Sequence, residues 1–361
     1  MMNKTLNICI IGGGIFGLTI ALNLSKYCKS IKVFENNSEI LNGATKLNHN
    51  RHHFGFHYPR SVETARQCLN GKKDFDKFYK HCIDYSFKNY YAISEKNSKV
   101  SFYDFEKFSN IMNLKFKEVE TPDLIFNTSK ISKCYLVNEG VYDFNKIKSV
   151  VIKRLSENKN IKIIKNLSVN SFVDISNTVT FKKNKKIIKE DFDIIINATY
   201  SNLNNHIYKI KNKVQMEYNL QEMCKLRIKG KRFGSTILDG EFPSILPIAG
   251  TNDEYLFAHV KFSQLVKKIS KSIPKVILNK KYVSNLQQTF NESKKYLNIL
   301  QKSKIIGNFK VIRSVNVDNQ KDSRKSEIIN YDNGNFSIFS GKIITVESLA
   351  KKIVKLVKMQ Y

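Results

Sequence analysis

At 361 residues, 42% hydrophobic and 25% charged, the chain has enough apolar material for two lobes and is no disordered polyelectrolyte. The formal charge of +30, from 61 basic and 31 acidic residues, suits an anionic ligand, but the lysines are scattered without a nucleic-acid-binding motif, so nucleic acid is an unlikely partner. Six dispersed cysteines (9, 28, 68, 82, 134, 224) with no CxxC pair signal neither a zinc ribbon nor a thioredoxin-type site and fit a reducing cytosol.

The first element is a short buried strand, "LNICII" (6–11). Gly12-Gly13-Gly14-Ile15-Phe16-Gly17 follows, then "LTIALNLSKY" with helical spacing, then a second strand, "IKVFE", ending in Glu35. This is strand, GxGxxG, helix, strand, acid. Gly12 permits the tight turn, Gly14 lets backbone approach a pyrophosphate, and Gly17 lets the helix pack closely on the sheet. The helix start at Ile15 and Phe16 offers free N–H groups to phosphates. Glu35, 18 residues beyond Gly17, can accept hydrogen bonds from a ribose diol, with Asn36 beside it. An acid there favours FAD or NAD over NADP. The apolar run resembles a signal peptide, but three glycines break it. No other segment approaches 18 uninterrupted apolar residues, so no transmembrane segment is expected and the expected location is cytoplasmic.

Next comes a long polar stretch without periodicity, "NNSEILNGATKLNHNRHHFGFHYPRS". Loops of this length in compact domains are usually functional. Four of the seven histidines fall in it, at 49, 52, 53 and 57. Their spacing offers i, i+4 pairs, but Asn, Gly and Pro oppose a helix and no carboxylate or cysteine is interleaved, so no metal is expected. Stacking of single-stranded nucleic acid is a further alternative, disfavoured beside a dinucleotide fingerprint.

Farther along, "FKKNKKIIKED" (181–191) reads as a solvated hairpin. "FKNYYAIS", "MEYNLQEMCKLRIKG" and "YLFAHV" read as strands of a mixed or antiparallel sheet, and 283–300 as an amphipathic helix. Arg313 and Arg324 are candidates for gripping a carboxylate, which a planar guanidinium holds bidentately, and Arg51 and Arg60 could reach a phosphate or a carboxylate. Tyr90, Tyr91, Tyr218 and His259 are candidate pocket residues.

Gly43-Ala44-Thr45-Lys46, Asn50-Arg51, His53-x-Gly55 and Tyr58-Pro59 resemble the flavin-facing segment of the D-amino acid oxidase and glycine oxidase (DAO-like) superfamily. That resemblance implies FAD as cofactor, with Thr45, Lys46, Asn50, Arg51, His53 and Gly55 near the flavin. "LSVNSFV" (167–173) is similar to the strand whose backbone, at Val169, meets the adenine. "DFDIIINATYSN" (191–202) resembles the family's strand and turn, placing Ala198 and Thr199 at the cofactor, with Tyr200 replacing a glycine. "FSIFSGKIITVESLAKKIVKLV" resembles the last strand, a turn at Gly341-Lys342-Ile343, and the closing helix. A dimethylglycine dehydrogenase-like covalent link to His52 or His53 is also conceivable from "HHFG".

The resemblance implies an α/β, Rossmann-like fold of the two-dinucleotide-domain type with a mixed-sheet substrate lobe. The FAD-binding domain is expected from 1–85, 140–215 and 315–361, and the substrate domain from 86–139 and 216–314. The expected activity is an FAD-dependent oxidoreductase removing a hydride from a C–H bearing an amine or hydroxyl. The substrate is expected to be small and anionic: an amino acid, a hydroxy acid or a sugar-linked molecule. Arg313 and Arg51 would hold its anionic group and His53, with a near-neutral pKa, would take a proton. The electron acceptor, oxygen or another carrier, is left open. The alternatives are a flavin enzyme of sugar-nucleotide or surface-glycan metabolism, similar to UDP-galactopyranose mutase, and a basic RNA-associated dinucleotide-fold protein.

Overall fold

The computed structural model describes residues 5–173, 177–183, 186–204, 207–208, 213–278, 282–317, 324–331 and 334–360. Residues 184–185 of the expected hairpin and 321–323 before Arg324 lie outside them. Among the described residues, one sheet has six strands in the order Glu327–Asn330, Phe336–Phe339, Ile194–Asn197, Asn7–Ile11, Ser30–Phe34, Ile161–Ile164. All neighbours are parallel except the outer pair 327–330 and 336–339. The strands are apolar because both faces are covered.

On one face, helix α1 (Ile15–Leu24) is buried almost all round. The closing helix, α2 (Val346–Gln360), packs beside it. Its buried residues recur at helical spacing, 346, 349, 350, 353 and 357, while lysines hold the opposite side. On the other face Cys9, Ile11 and Phe34 pack against Leu167, Val169, Val179 and Phe181. These come from a smaller sheet in which Thr178–Lys183 pairs antiparallel with Lys186–Asp191, as the hairpin reading expects.

A large mixed sheet draws its strands from 88–137 and 216–316. Its order is Gln264–Ser270, Met216–Arg227, Glu254–His259, Pro243–Pro247, Phe233–Leu238, Lys88–Ser94, Ile131–Val137, Phe116–Val119. Lys304–Asn316 also pairs with Met216–Arg227 and sets Arg313 opposite Asn219. "FKNYYAIS", "MEYNLQEMCKLR" and "YLFAH" are strands here, as their alternation indicates.

One expected element is shorter. Within 283–300 the helix spans only Leu286–Lys294, followed by a 3-10 turn at Asn298–Lys302. Asn298 Nδ2 donates to the carbonyls of Asp123 and Phe126, both at 2.9 Å. Leu297 turns extended and is buried with Leu300 in the apolar cluster around Phe257. Tertiary anchoring therefore overrides the helical pattern.

Residues 35–61 contain neither helix nor strand. This histidine-rich segment is instead fastened to the chain at 139–142. Arg51 bridges Val141, the Tyr142 amide donates to the Asn50 carbonyl at 2.6 Å, and the His52 amide to the Gly140 carbonyl at 3.0 Å.

Candidate functional site

The glycine loop has the geometry its sequence anticipates. Gly12 has φ +110, and a Cβ there would lie 2.7 Å from the Ala198 carbonyl oxygen. Its N–H donates to the Phe34 carbonyl at 2.8 Å. A Cβ on Gly17 would sit 2.0 Å from the Gly12 carbonyl oxygen, so only glycine lets α1 approach the turn. Gly14 is different: only Thr45 Oγ1, at 3.7 Å, lies near its missing Cβ. That hydroxyl accepts the Ile15 amide at 3.2 Å. No side chain of Gly14, the N-cap, closes the helix start, leaving a positive helix end for an anion.

Glu35 closes the same turn. Its Oε2 accepts the Gly13 amide at 2.8 Å, and its Oε1 accepts the amide and side-chain N–H of Asn37 at 2.8 and 2.7 Å. An ionised carboxylate offers about four lone-pair sites, so Oε2 keeps capacity for another donor.

A cavity of about 890 Å³ starts at this cradle. Gly12, Glu35, Ala198 and Ser340 enter its lining just beyond the carboxyl ends of four strands of the six-stranded sheet. Ligands bind at this edge of open α/β sheets. Gln221, Met223 and Arg313 of the mixed sheet contribute the facing lining.

Toward the mixed sheet the cavity is cationic. Arg313 Nη1 donates to Gln221 Oε1 at 2.6 Å, while burial and the nearby Arg324 pull its pKa down. Lys342 is pushed well below the usual lysine range by burial, then by Arg324 and Arg313. Among the described residues neither Arg313 nor Lys342 has a carboxylate within ion-pair distance. Arg51 differs: it bonds the Tyr91 hydroxyl and lies 3.6 Å from Glu139 Oε2. Glu139 also accepts from the Tyr91 hydroxyl and from the Phe54 amide at 2.8 Å, and burial pushes its carboxyl up.

The histidines divide. His49, His53 and His57 line the cavity, and His49 Nε2, His53 Nδ1 and His57 Nδ1 are buried without a hydrogen-bond partner. His52 lies outside it, fully buried among Phe54, Phe75 and Tyr142 with Nδ1 3.1 Å from the Tyr85 hydroxyl. Burial holds His49 and His52 down to about 3. Burial, Lys342 and Arg51 hold His53 well below its ordinary value. The near-neutral pKa expected for His53 is thus corrected downward: burial, Lys342 and Arg51 disfavour protonation of its ring, whose Nε2 lies 3.4 Å from Lys342 Nζ.

Residues 7–125 match the model of the FAD dependent oxidoreductase (DAO) family. The fold agrees: glycine oxidase from Geobacillus kaustophilus superposes with a TM-score of 0.71 at 10% identity, over 98% of this chain and 95% of that one. Over residues 7–125 the chain is thus similar to the DAO-type FAD dependent oxidoreductases, and its fold is that of glycine oxidase. The chain is also 33% identical over 103 residues to the FAD-dependent monooxygenase FPY4 of Fusarium mangiferae, covering 28% of this chain and 27% of that protein. It is 24% identical over 279 residues to the FAD-dependent monooxygenase kojA of Aspergillus flavus, covering 72% of this chain and 63% of kojA. It therefore spans only part of either relative's length.

FAD fits the residues present. The start of α1, the open side of Gly14, Glu35 and the rings of His49, His53 and His57 all belong to the lining of one cavity. Of the residues singled out in the sequence, Gly12, Gly14, Ile15, Phe16, Glu35, Asn36, Thr45, Arg51, His53, Val169, Ala198, Thr199, Arg313, Gly341, Lys342 and Ile343 line this cavity. Gly17 and Gly55 lie behind it as packing positions, Gly55 against Ala65 at φ +122. Lys46 is exposed beside Asn42, and Asn50 bonds Tyr142 through its carbonyl. Arg60 pairs with Asp239 outside the cavity. His259 lines it, held down to about 4 by burial, whereas Tyr90, Tyr91 and Tyr218 do not.

Sequence reasoning missed Glu139, Gln221 and Ser326. Glu139 sits 85 residues from the Phe54 amide it binds, with no motif around it. Ser326 Oγ accepts the Gly341 amide at 2.9 Å, and a Cβ on Gly341 would strike the backbone at 324–326. Among the described residues no group of three or more His, Cys, Asp or Glu could hold a metal ion, and no helix is long and apolar enough to cross a membrane.

Proposed function

We propose that this FAD-dependent oxidoreductase takes a hydride from a C–H bearing an amine or hydroxyl in a small anionic substrate: an amino acid, a hydroxy acid or a sugar-linked acid. One observation carries the reading. A dinucleotide cradle shares one cavity with two half-buried basic side chains, Arg313 and Lys342, that lack a carboxylate partner among the described residues. A basic group held partly out of water favours a paired anion, and a substrate anion would supply it at this end of the cavity.

Bound FAD would supply the hydride acceptor. Gly12, Gly14, Ile15, Phe16 and Gly17 would admit the diphosphate, Glu35 and Asn36 the ribose, and Val169 the adenine. Thr45, Lys46, Asn50, Gly55, Ala198, Thr199, Gly341 and Ile343 would frame the flavin half. Arg313 would hold the substrate anion as a planar fork, with Lys342 as a second positive charge. Arg51, fixed by Tyr91 and Glu139, would stabilise negative charge without moving. An amine bound in neutral form requires no base. For a hydroxyl, His53 would take the proton once the substrate anion offsets Lys342 and Arg51, which now oppose its protonation. The FAD-binding unit would comprise 1–85, 140–215 and 315–361, and the substrate unit 86–139 and 216–314.

The test is selectivity. Arg313→Gln and Lys342→Gln should each weaken reduction by anionic amines or hydroxy acids about tenfold or more, as loss of a charged hydrogen bond predicts. Neutral analogues should be little affected. Equal loss for both classes removes the anion from the proposal. The monooxygenase names of FPY4 and kojA favour a second reading, in which an oxygen atom from O2 enters the product. Isotopically labelled O2 separates the two.

A further inference from the structure

From Tyr255 to Asn291 the sequence carries seven lysines and no aspartate or glutamate. The structure gathers much of this stretch at one edge of the mixed sheet. Gln264–Ser270 is the end strand, pairing with Met216–Gln221, and the chain continues through a short helix at Lys275–Leu278. Ile273 and Ile277 are buried with Met216, Tyr218 and Leu220, so the segment is anchored from beneath. Leu265 and Val266 pack partly against the same cluster, while Lys267, Lys268, Lys271 and Lys275 are exposed. Ile269, Val276 and Leu278 are 53%, 48% and 52% exposed.

Lys261 pairs with Glu241 and Lys267 with Glu217. Among the described residues, Lys268, Lys271 and Lys275 have no acidic partner within ion-pair distance. Lysines alone on an edge strand would discourage strand pairing. Exposed aliphatics among them do the reverse, since they favour association. Unpaired lysines interleaved with outward Ile, Val and Leu on an anchored support match a charged and apolar interface such as a lipid headgroup layer. Leu278 and the 47%-exposed Val260 also line the cofactor cavity, so this patch borders its rim.

We infer that the edge formed by Gln264–Leu278 docks on an anionic lipid bilayer. Lys268, Lys271 and Lys275 meet the headgroups, and Ile269, Val276 and Leu278 enter the interfacial layer. The cavity rim then lies at the membrane surface. This inference goes beyond the proposed chemistry and does not rest on it.

The experiment is co-sedimentation of the FAD-loaded 361-residue chain with vesicles of phosphatidylcholine alone or mixed with phosphatidylserine. Binding is expected only to the mixed vesicles and should weaken with added salt. Each lysine reversed in the series K268E, K271E, K275E should weaken it about fivefold, the effect of one basic residue near such a surface. Val276→Ser with Leu278→Ser should weaken it too while leaving heparin retention unchanged. All substituted positions are exposed, so thermal melting should match the parent. No binding to mixed vesicles overturns the inference, as does binding indifferent to the lysine series. Lysine-dependent retention on heparin or RNA with no vesicle binding also overturns it, in favour of a polyanion surface.

Discussion

The phenol of Tyr200 joins the two large sheets. Its hydroxyl accepts the Ser314 amide at 3.2 Å and reaches the Ser314 carbonyl at 3.5 Å. Tyr200 follows the strand Ile194–Asn197 of the six-stranded sheet, and Ser314 adjoins Arg313 in the mixed sheet. It does so at φ +55, a region that disfavours bulky residues. A tyrosine where the family-like turn carries glycine is therefore retained against backbone strain. Tyr200→Phe keeps the ring and loses the bond. It should cost about 1 kcal/mol in urea unfolding and raise KM for the anionic substrate more than it lowers kcat. Unchanged stability and KM would contradict a linking role.

Gly14 and Gly17 separate cofactor from fold. A Cβ on Gly14 has only Thr45 Oγ1 within 4 Å, at 3.7 Å, so Gly14→Val should melt near the parent in the absence of FAD yet fail to retain flavin. Gly17→Ala places a Cβ 2.0 Å from the Gly12 carbonyl oxygen and should destabilise the fold by roughly 3 kcal/mol. Thermal melting and retained yellow colour, measured together, distinguish the two effects.

Glu35 holds the Gly13 amide and has capacity for a ribose hydroxyl. Glu35→Ala should weaken FAD binding about ten- to a hundredfold, the value of a hydrogen bond to a charged group. Glu35→Gln should lose less, because an amide oxygen still accepts from Gly13. Equilibrium dialysis against FAD gives both numbers. Equal affinity in all three proteins would remove the carboxylate from cofactor binding.

The buried histidines set an acid limit. His49 and His52 take up protons only near pH 3 when folded, against an ordinary 6.5 when unfolded. Below about pH 6.5 the unfolded chain binds more protons, so stability falls with pH until the folded values are reached. His53 and His57 act with the same sign. Replacing His52 by Asn should reduce the slope of unfolding free energy between about pH 6 and pH 5 by roughly 1.4 kcal/mol per pH unit. Urea titrations across that range measure it, and an unaltered slope would show that His52 is not held neutral.

The cofactor half of the molecule was legible because its requirements are local. Gly12, Gly14, Gly17 and Glu35 lie in one short stretch; Gly12 and Gly17 answer close backbone contacts visible in the fold, while Gly14 leaves its side open to the cavity. Arg313 could be singled out as an arginine and Lys342 through the resemblance of its turn, and both reach the cavity. The histidine segment was legible as a loop but not in its internal division. Nothing in "NRHHFGFHYP" says that His52 turns into an aromatic core while its neighbour His53 faces the cavity. Glu139 was invisible for the same reason: its partners Arg51, Phe54 and Tyr91 are distant in sequence. The helix expected over 283–300 stopped at Lys294 because Asn298 bonds the loop at 123–126, which no helical periodicity encodes.

The central claim is that one cavity brings FAD together with a small anionic amine or alcohol. It is tested most directly by adding such compounds anaerobically to the FAD-loaded protein and following the flavin's visible absorbance. The account predicts bleaching by at least one amino acid, hydroxy acid or sugar-linked acid, slowed in Arg313→Gln and markedly slower with neutral analogues of the same compound. Flavin that no anionic amine or hydroxy acid bleaches, or that neutral analogues bleach equally well, would contradict it.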